Sequence, residues 1–349
     1  MVLRRLTRED IPAAKHLWAE AFGDSEEFVR YYFANKMKLK NTMGAFIKDE
    51  LVGDITMQEM LVHMRGANLR TGFLAGCATR EANRNQGVMQ RLLFAQMRAM
   101  DRAGYAICHL HPFLHAFYRK FGWETVSYMH RGIQTGQNNT VNEKLSKEKP
   151  PDFDKIYKMY CNFCSKADGY FVRSHEDMYI RLQEHAIDGG GVLETDGAYA
   201  LFFEMEDGLE VIEFAWRKKE DKAELLEILA QTGLEARYYT PDYEDADGET
   251  EEYTMMRVVN ARRLLESLPL PDCKFSIEVH DEFLPWNNIS LVCQYMGERT
   301  EIALYSGSAA DVQADIRVLA RLAAGKPMQL PGPANEIFKT QRTIFFNTY

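Results

Sequence analysis

The same order of predicted strands and helices occurs twice along the chain, and this repeat most restricts what it can fold into. From residue 42 to residue 110 the apolar pattern predicts three meandering strands, a helix over residues 86–103 and a further strand. Residues 191–240 show the same order, with hairpin turns at Asp196-Gly197 and Asp207-Gly208. We therefore expect two similar units of mixed α/β structure.

The remaining elements are predicted from start signals and apolar spacing. Thr7 and Asp10 precede a helix over residues 11–22, a second helix starts after Ser25, and Ser174 with Asp177 forms a capping box. Residues 152–166, which include the "CNFC" pair, and residues 114–122 are also predicted to be helical. The last region is predicted to alternate short strands with a helix over residues 308–324.

The length of 349 residues exceeds what one compact core usually serves, and a polar stretch marks the first boundary. Asn, Lys, Glu and Pro dominate that stretch, as is typical of a linker. We predict an α/β (α+β) fold with the following parts: a first domain over residues 1–133, a linker over 134–151, a second domain over 152–254, and a small third domain over 255–349.

Composition and charge exclude some classes of function. The formal net charge of −9 is unsuited to general nucleic-acid binding, which needs a basic surface, and it favours a cationic substrate. No stretch approaches the roughly 20 apolar residues of a membrane span. The six cysteines follow no disulfide framework, and the N-terminus lacks a secretory pattern, so we expect a cytoplasmic protein.

The turn "RNQGVM" before the helix of the first unit has the features of an anion site. Helix N-termini carry unpaired backbone N–H groups and a partial positive charge, and Arg84 lies beside the N–H groups of residues 85–90. This pattern predicts a pyrophosphate site. In the second unit Glu220 and Asp221 begin the corresponding helix, so that helix is predicted to bind no phosphate.

The segment also resembles the acyl-CoA signature of the GNAT N-acetyltransferases, which has Arg or Gln, two residues, Gly, any residue, then Gly or Ala. Arg84 and Gly87 match, whereas Met89 replaces the small final residue. With a second, motif-free unit and a small last domain, the whole chain resembles the enhanced intracellular survival (Eis-like) acetyltransferases. That resemblance implies tandem GNAT-like domains with mixed central sheets, a sterol-carrier-like third domain, acetyl-CoA as co-substrate, no metal, and a trimer or hexamer.

The resemblance also implies roles for particular residues. The strand backbone of Cys77, Ala78 and Thr79 would bind the pantetheine arm. The pyrophosphate would be held by the helix start, which comprises Asn85, Gln86, Gly87, Val88, Met89 and Gln90. Phe113 and Leu114 would lie beside the thioester. Tyr118, in the family's "YxxFG" motif, would be the general acid, and the C-terminal carboxylate of Tyr349 would be the general base.

Other interpretations of these residues remain open from sequence. Tyr118 has the pattern of an ordinary core tyrosine. For the whole protein, the second interpretation after an acetyltransferase is a non-catalytic acyl-CoA or lipid binder. His109, His111 and His115 suggest a metal site, although no carboxylate accompanies them at close spacing. We expect the two cysteines of "CNFC" to be buried on a helix. The amine acceptor, whether small molecule or peptide, is not identified by sequence.

Overall fold

The computed structural model describes residues 1–137, 151–241, 249–271, 273–297, 299–326 and 333–345. In chain order, the strands are β1 (Val2–Arg5), β2 (Thr42–Ile47), β3 (Glu50–Met64), β4 (Ala67–Thr79), β5 (Ile107–Leu110), β6 (Glu124–Thr125), β7 (Tyr128–Gln134), β8 (Gly169–Val172), β9 (Gly191–Glu194), β10 (Ala198–Met205), β11 (Gly208–Trp216), β12 (Ala236–Pro241), β13 (Thr250–Glu252), β14 (Met255–Val258), β15 (Lys274–His280), β16 (Ile289–Tyr295), β17 (Thr300–Leu304), β18 (Val312–Asp315) and β19 (Thr343–Ile344).

Helices cover the faces of the sheets that these strands form. They are α1 (Ile11–Phe22), α2 (Glu26–Asn35), α3 (Val88–Arg102), α4 (His115–Arg119), α5 (Phe153–Cys164), α6 (His175–Ile187), α7 (Lys219–Ala230), α8 (Ala261–Ser267), α9 (Ile316–Ala323) and α10 (Ala334–Ile337). No helix in the described part of the chain is both long and apolar enough to cross a lipid bilayer.

The predicted repeat is confirmed at the level of topology. In the first sheet β2, β3 and β4 are antiparallel, α3 follows, and β5 then pairs parallel to β4. In the second sheet β9, β10 and β11 are antiparallel, α7 follows, and β12 pairs parallel to β11. A right-handed crossover through a helix is the usual way to join two parallel strands, so the same sequence order produces the same arrangement twice.

Strands are exchanged between the three predicted regions. β14, at the start of the third region, lies in the first sheet between β5 and β6, and β8 joins the same sheet beside β3. β7 lies in the second sheet beside β12. The third sheet has the order β17-β16-β15-β18. The regions therefore share sheets, and the exact domain boundaries stay a prediction.

A buried ion pair joins β14 to the rest of the third region. The Arg257 guanidinium donates to both carboxylate oxygens of Asp281 at 2.7 and 2.6 Å, and it also donates to the carbonyl of Phe121 at 2.8 Å. Both charged side chains are inaccessible to solvent. A buried pair with this geometry specifies one orientation of the first sheet and the last domain, because a shifted arrangement leaves a charge unpaired.

Most local predictions are confirmed, and two are wrong. Helices α1, α2 and α6 begin at the predicted signals, and Ser174 accepts the backbone N–H of Asp177 as expected. The helix predicted over residues 308–324 instead begins at Ile316, because Asp315 caps it and the preceding residues form β18. The "CNFC" segment is helical, but Cys161 is exposed and Cys164 alone is buried.

Candidate active site

An opening between β4 and β5 forms the first part of the site. Residues 71–73 of β4 pair with residues 107–109 of β5, and no pairing between the two strands follows in the described structure. Gly76 has a left-handed backbone (φ +59°), and a Cβ there would lie 2.5 Å from the Trp18 ring. The strand bulges at this point, so Cys77, Ala78 and Thr79 form a strand edge with β3 on one side and the opening on the other. Such an edge suits an extended ligand that pairs with backbone groups.

The start of α3 forms the second part. Gly87 is the N-cap residue with φ +74°, and no side chain caps the helix. No acidic residue occupies the first turn, so the N–H groups of Val88, Met89 and Gln90 point out of the helix end without a side-chain acceptor. Arg84, Asn85 and Gln86 are exposed around this end. A helix end of this kind can bind an anion, and the pyrophosphate site stays a prediction.

The side chains around the α3 end leave it open. The Arg84 Nε donates to the Thr79 carbonyl at 3.3 Å, and Gln86 donates to the Ala82 carbonyl at 2.9 Å. Met89, the departure from the family signature, packs against the core cluster below the helix. These contacts hold the turn in place without occupying the backbone N–H groups of α3.

The corresponding helix of the second unit, α7, is closed. The Asp221 carboxylate accepts the backbone N–H of Lys218 at 3.0 Å, and Glu220 adds a second negative charge to the first turn. Acidic side chains in this place already interact with the positive end of the helix dipole. The two helix starts therefore differ as the sequence indicated, with acidic residues at α7 and none at α3, and phosphate binding stays a prediction.

Tyr118 lies at the inner end of the opening. Its side chain is 3% exposed and its hydroxyl interacts with the Cys77 thiol. Burial, with a smaller effect of Cys77, raises the pKa of Tyr118 far above its usual range, so the hydroxyl stays protonated at neutral pH. Burial also raises the pKa of the Cys77 thiol to about 12, which makes it a poor nucleophile.

Aromatic side chains enclose Tyr118. The Phe117 and Trp123 rings lie 5.1 and 6.0 Å from the tyrosine ring, and the Phe113 ring lies 5.8 Å away. Phe113 is 76% exposed and Leu114 is 53% exposed, although both are large and apolar. Exposed apolar residues next to a buried hydroxyl suit a ligand with an apolar part, such as a thioester.

Asp54 is a candidate site residue that the sequence analysis missed. It lies on β3 opposite Ala78 of β4, and it is 7% exposed. Burial raises the pKa of its carboxyl group to about 8. Its charge contributes to the raised pKa values of Cys77 and Tyr32, which places it near both. The signal in the sequence was a lone acid within the otherwise apolar strand "LVGDITM".

His109 has a partner of its own, whereas His111 and His115 both contact Tyr253. The His109 Nδ1 is hydrogen-bonded to the Thr71 hydroxyl at 2.8 Å, and the His111 ring packs on Tyr253 at 4.5 Å. His115 contacts the Tyr253 carbonyl at 3.2 Å. Burial lowers the pKa of His109 to about 3 and that of His111 to about 4. Within the described residues no three His, Cys, Asp or Glu side chains are grouped to hold a metal ion.

Tyr349 lies outside the described residues, which end at Phe345, and Phe345 itself is buried. The Phe345 ring is fully buried and lies 5.4 Å from His109 and 5.3 Å from Phe171. Its carbonyl accepts the Thr254 hydroxyl at 2.9 Å. His109 alternates along β5 with Cys108, which packs in the α3 cluster, so Phe345 lies on the face of the first sheet opposite α3.

Comparisons with known proteins agree with this geometry. Residues 2–126 match the acetyltransferase (GNAT) domain family, and residues 257–328 match the sterol carrier protein domain family. Among curated proteins, none matches the chain in sequence.

Several solved structures share the fold over the whole chain. A conserved protein from Enterococcus faecalis, described as a probable N-acyltransferase, has 14% identity and a TM-score of 0.80, covering 100% of this chain and 99% of its own. A GCN5-related N-acetyltransferase from Anabaena variabilis has 16% identity and a TM-score of 0.76, and Eis1 from Mycobacterium abscessus has 14% and 0.72. Both alignments cover 100% of each chain.

The protein therefore carries a GNAT acetyltransferase domain at its N-terminal side and a sterol carrier protein domain at its C-terminal side. A GNAT acetyltransferase domain uses acetyl-CoA as co-substrate, and the chain is a transferase. Over its full length it has the fold of the Eis-like acetyltransferases.

Proposed function

We propose that the protein transfers the acetyl group of acetyl-CoA directly to an amine, either a small molecule or a peptide, while both substrates are bound. One arrangement carries this proposal. The open edge of β4 leads through a short turn to the uncapped end of α3, and the Tyr118 hydroxyl lies beside Cys77 on that edge. The diphosphate, the pantetheine arm and the thioester of one acetyl-CoA molecule need these three features in this order.

The chemistry uses this chain's own groups. The amine nitrogen attacks the thioester carbonyl, and backbone N–H groups near Ala78 and Thr79 stabilise the resulting oxyanion. The carbon–sulfur bond then breaks, the acetyl group stays on nitrogen, and Tyr118 donates a proton to the leaving sulfur. The high pKa of Cys77 argues against an acetyl-cysteine intermediate.

We assign the general base to the C-terminal carboxylate of Tyr349, which accepts the proton that the amine loses. Support comes from the anchoring of Phe345 beside β5, on the face of the sheet opposite α3. Four further residues reach at most roughly 14 Å, and Phe345 lies beside His109, the last residue of β5 that pairs with β4.

Extending the chain beyond Tyr349 tests the assignment. A short Gly-Ser extension moves the carboxylate away and should reduce release of free CoA thiol in the presence of an amine panel by at least a hundredfold. Acetyl-CoA binding, followed by calorimetry, should be unchanged. The same extension at the N-terminus is the matched control. Full turnover by the C-terminally extended enzyme would exclude Tyr349 as the base.

The alternative of a non-catalytic lipid binder has less support. The pocket found in the sterol carrier domain has a volume of about 560 Å³ and polar walls, which include Glu278, His280 and Asp315. A sterol or acyl chain favours an apolar lining. We further propose a cytoplasmic homo-oligomer, a trimer or hexamer; all six cysteines are free thiols, as suits a reducing compartment.

A further inference from the structure

A second cavity lies between the first and second units, away from the end of α3. It has a volume of about 780 Å³ and is bounded by α2, β3, β8 and α6. Gln58 and Met60, which line it, alternate along β3 with Met57, and Met57 packs in the core cluster beneath α3. The cleft therefore opens on the face of the first sheet opposite α3, the same face on which Phe345 is anchored.

The cleft lies close to Asp54, because Tyr32 is near both Asp54 and the cleft residue Glu184. Tyr32 is fully buried, and after burial the charges of Asp54 and Glu184 both contribute to its raised pKa. Glu184 lines the cleft, whereas Asp54 lies four residues before Gln58 on β3, about 13 Å along the strand. An acceptor in the cleft thus lies within the length of a small molecule or short peptide of the acetyl-transfer centre.

The walls of the cleft are more basic than acidic, although the whole protein is acidic. Three acidic side chains line it, and five basic ones do: Lys36, Lys38, Arg70, Arg173 and Arg181. Most of these cations have a partner of their own. The Lys36 ammonium donates to both oxygens of Glu184 at 2.7 and 2.6 Å, Lys38 lies 3.7 Å from Glu59, and Arg70 donates to the Tyr105 hydroxyl.

Arg173 is also fully paired. It donates to the two Glu213 oxygens at 2.7 and 2.9 Å, and Tyr199 donates to the same carboxylate at 2.6 Å. Burial alone would raise the pKa of Glu213, but Arg173 lowers it to about 2, so the carboxylate remains charged. The hydrogen-bonding capacity of Glu213 is therefore largely used by these two neighbours.

Arg181 differs from these cations because it is buried and its Nε is not hydrogen-bonded to its counter-ion. Lys38 has an ion pair of the same length, but its side chain is exposed to water. The residue is 8% exposed, and the buried Nε atom has no hydrogen-bond acceptor in the described structure. The Glu213 oxygen lies 3.7 Å from Nε, which is beyond hydrogen-bonding distance. A buried guanidinium that is ion-paired with a carboxylate but whose Nε is not hydrogen-bonded to it keeps a donor available, and its planar set of donors matches a carboxylate or phosphate group.

We propose that Arg181 binds an anionic oxygen group of the acceptor, so that the substrate is an amine that also carries a carboxylate or phosphate. The inference rests on the proposed acetyl transfer. It names the chemical class of the acceptor and makes Arg181 a specificity-determining residue. The overall charge of −9 favours a cationic substrate, whereas the lining of the cleft has more basic than acidic side chains.

Matched acceptor pairs test the proposal. L-Lysine is compared with cadaverine, triglycine with its C-terminal amide, and O-phosphoethanolamine with ethanolamine; the members of each pair differ in the anionic group. The wild type should show a roughly 10- to 100-fold higher kcat/KM for the acidic member of at least one pair. The pair that responds distinguishes a carboxylate from a phosphate.

Substitution of Arg181 identifies the residue responsible. Arg181→Gln should remove the preference by weakening the acidic member alone, and Arg181→Lys should keep part of it. Arg262→Gln, an exposed arginine on α8 outside the cleft, is the control and should behave as the wild type. Thermal melting establishes that each variant is folded. If the wild type acetylates the two members of every pair equally, or if Arg181→Gln keeps the preference, the proposal is wrong while acetyl transfer stands.

A binding measurement separates this inference from the proposed function. Calorimetry with L-lysine, triglycine and O-phosphoethanolamine is carried out in the presence of CoA, and it needs no turnover. Binding that Arg181→Gln weakens tenfold or more supports the anion subsite even if no amine is acetylated, in which case the proposed acetyl transfer fails alone. If none of the acidic probes is acetylated or bound in an Arg181-dependent way, the subsite is excluded.

Discussion

A single added charge at the start of α3 should strengthen the helix and weaken acetyl-CoA binding at the same time. Gln90 occupies the third position of α3, the position that Asp221 occupies in α7. Gln90→Glu therefore introduces, with almost no change of shape, the kind of acidic side chain that closes the α7 end. The helix gains about 0.3–1 kcal/mol from the favourable dipole interaction, or roughly one to three degrees in melting temperature.

The same charge opposes a diphosphate bound to the N–H groups of residues 88–90. Two negative charges at about 5 Å in a solvated site are each repelled by about 0.8 kcal/mol, which together weakens binding by about tenfold to thirtyfold. The effect should shrink as salt is added, because the site is exposed to solvent. The expected result is a higher melting temperature with a higher KM for acetyl-CoA.

Steady-state kinetics at low ionic strength and thermal melting measure the two effects. Arg98→Gln is the matched control, because it makes the same change in net charge about 12 Å further along α3. It should leave the KM for acetyl-CoA within about twofold of the wild type. If Gln90→Glu stabilises the protein but leaves the KM unchanged, no diphosphate binds at this helix end and the proposed site is wrong.

Three further variants test other parts of the structure. Tyr118→Phe keeps the aromatic packing but removes the proton donor, so kcat should fall about a hundredfold or more with little change in acetyl-CoA binding by calorimetry. Asp54 keeps its proton in the folded state up to about pH 8, whereas the unfolded carboxyl group ionises near pH 4; the free energy of unfolding therefore falls as the pH rises through this window. Asp54→Asn should remove this fall, so its gain over the wild type in chemical denaturation should reach a few kcal/mol at pH 9 and be small at pH 4.5, and an equal gain at both would refute the assignment. Asp281→Asn leaves Arg257 as an unpaired buried cation and should destabilise the protein by about 3–5 kcal/mol in the same assay, whereas a loss below about 1 kcal/mol would contradict the buried pair.

Local patterns in the sequence predicted most of the elements, since their causes lie within a few residues. The caps at Ser25 and Ser174 satisfy backbone groups of their own helices, and the hairpins need little more than a turn and alternating side chains. The wrong prediction of a helix over residues 308–315 arose because the cause of the structure there is distant in sequence. Val312–Asp315 form a strand because β15 lies beside them, and that neighbour is more than 30 residues away in sequence.

The candidate site divides in a similar way. The end of α3 was predictable because uncapped N–H groups follow from the helix itself and from the absence of acids in its first turn. Asp54 was not predictable, since its raised pKa results from burial among residues brought together by the whole first sheet. The same holds for the contact of Tyr118 with Cys77, which joins α4 to β4.

By itself, the sequence determined which helix start has an acidic cap and which has none, because Gly87 and Asp221 act on the backbone of their own helices. The tertiary structure alone decided the charge of the cleft bounded by α2, β3, β8 and α6. Glu213 lies near both Arg173 and Arg181. Of the two, Arg173 donates hydrogen bonds to it, whereas the Arg181 Nε lies 3.7 Å away. Electrostatic pairing depends on distance and burial, and neither is a property of the order of residues along the chain.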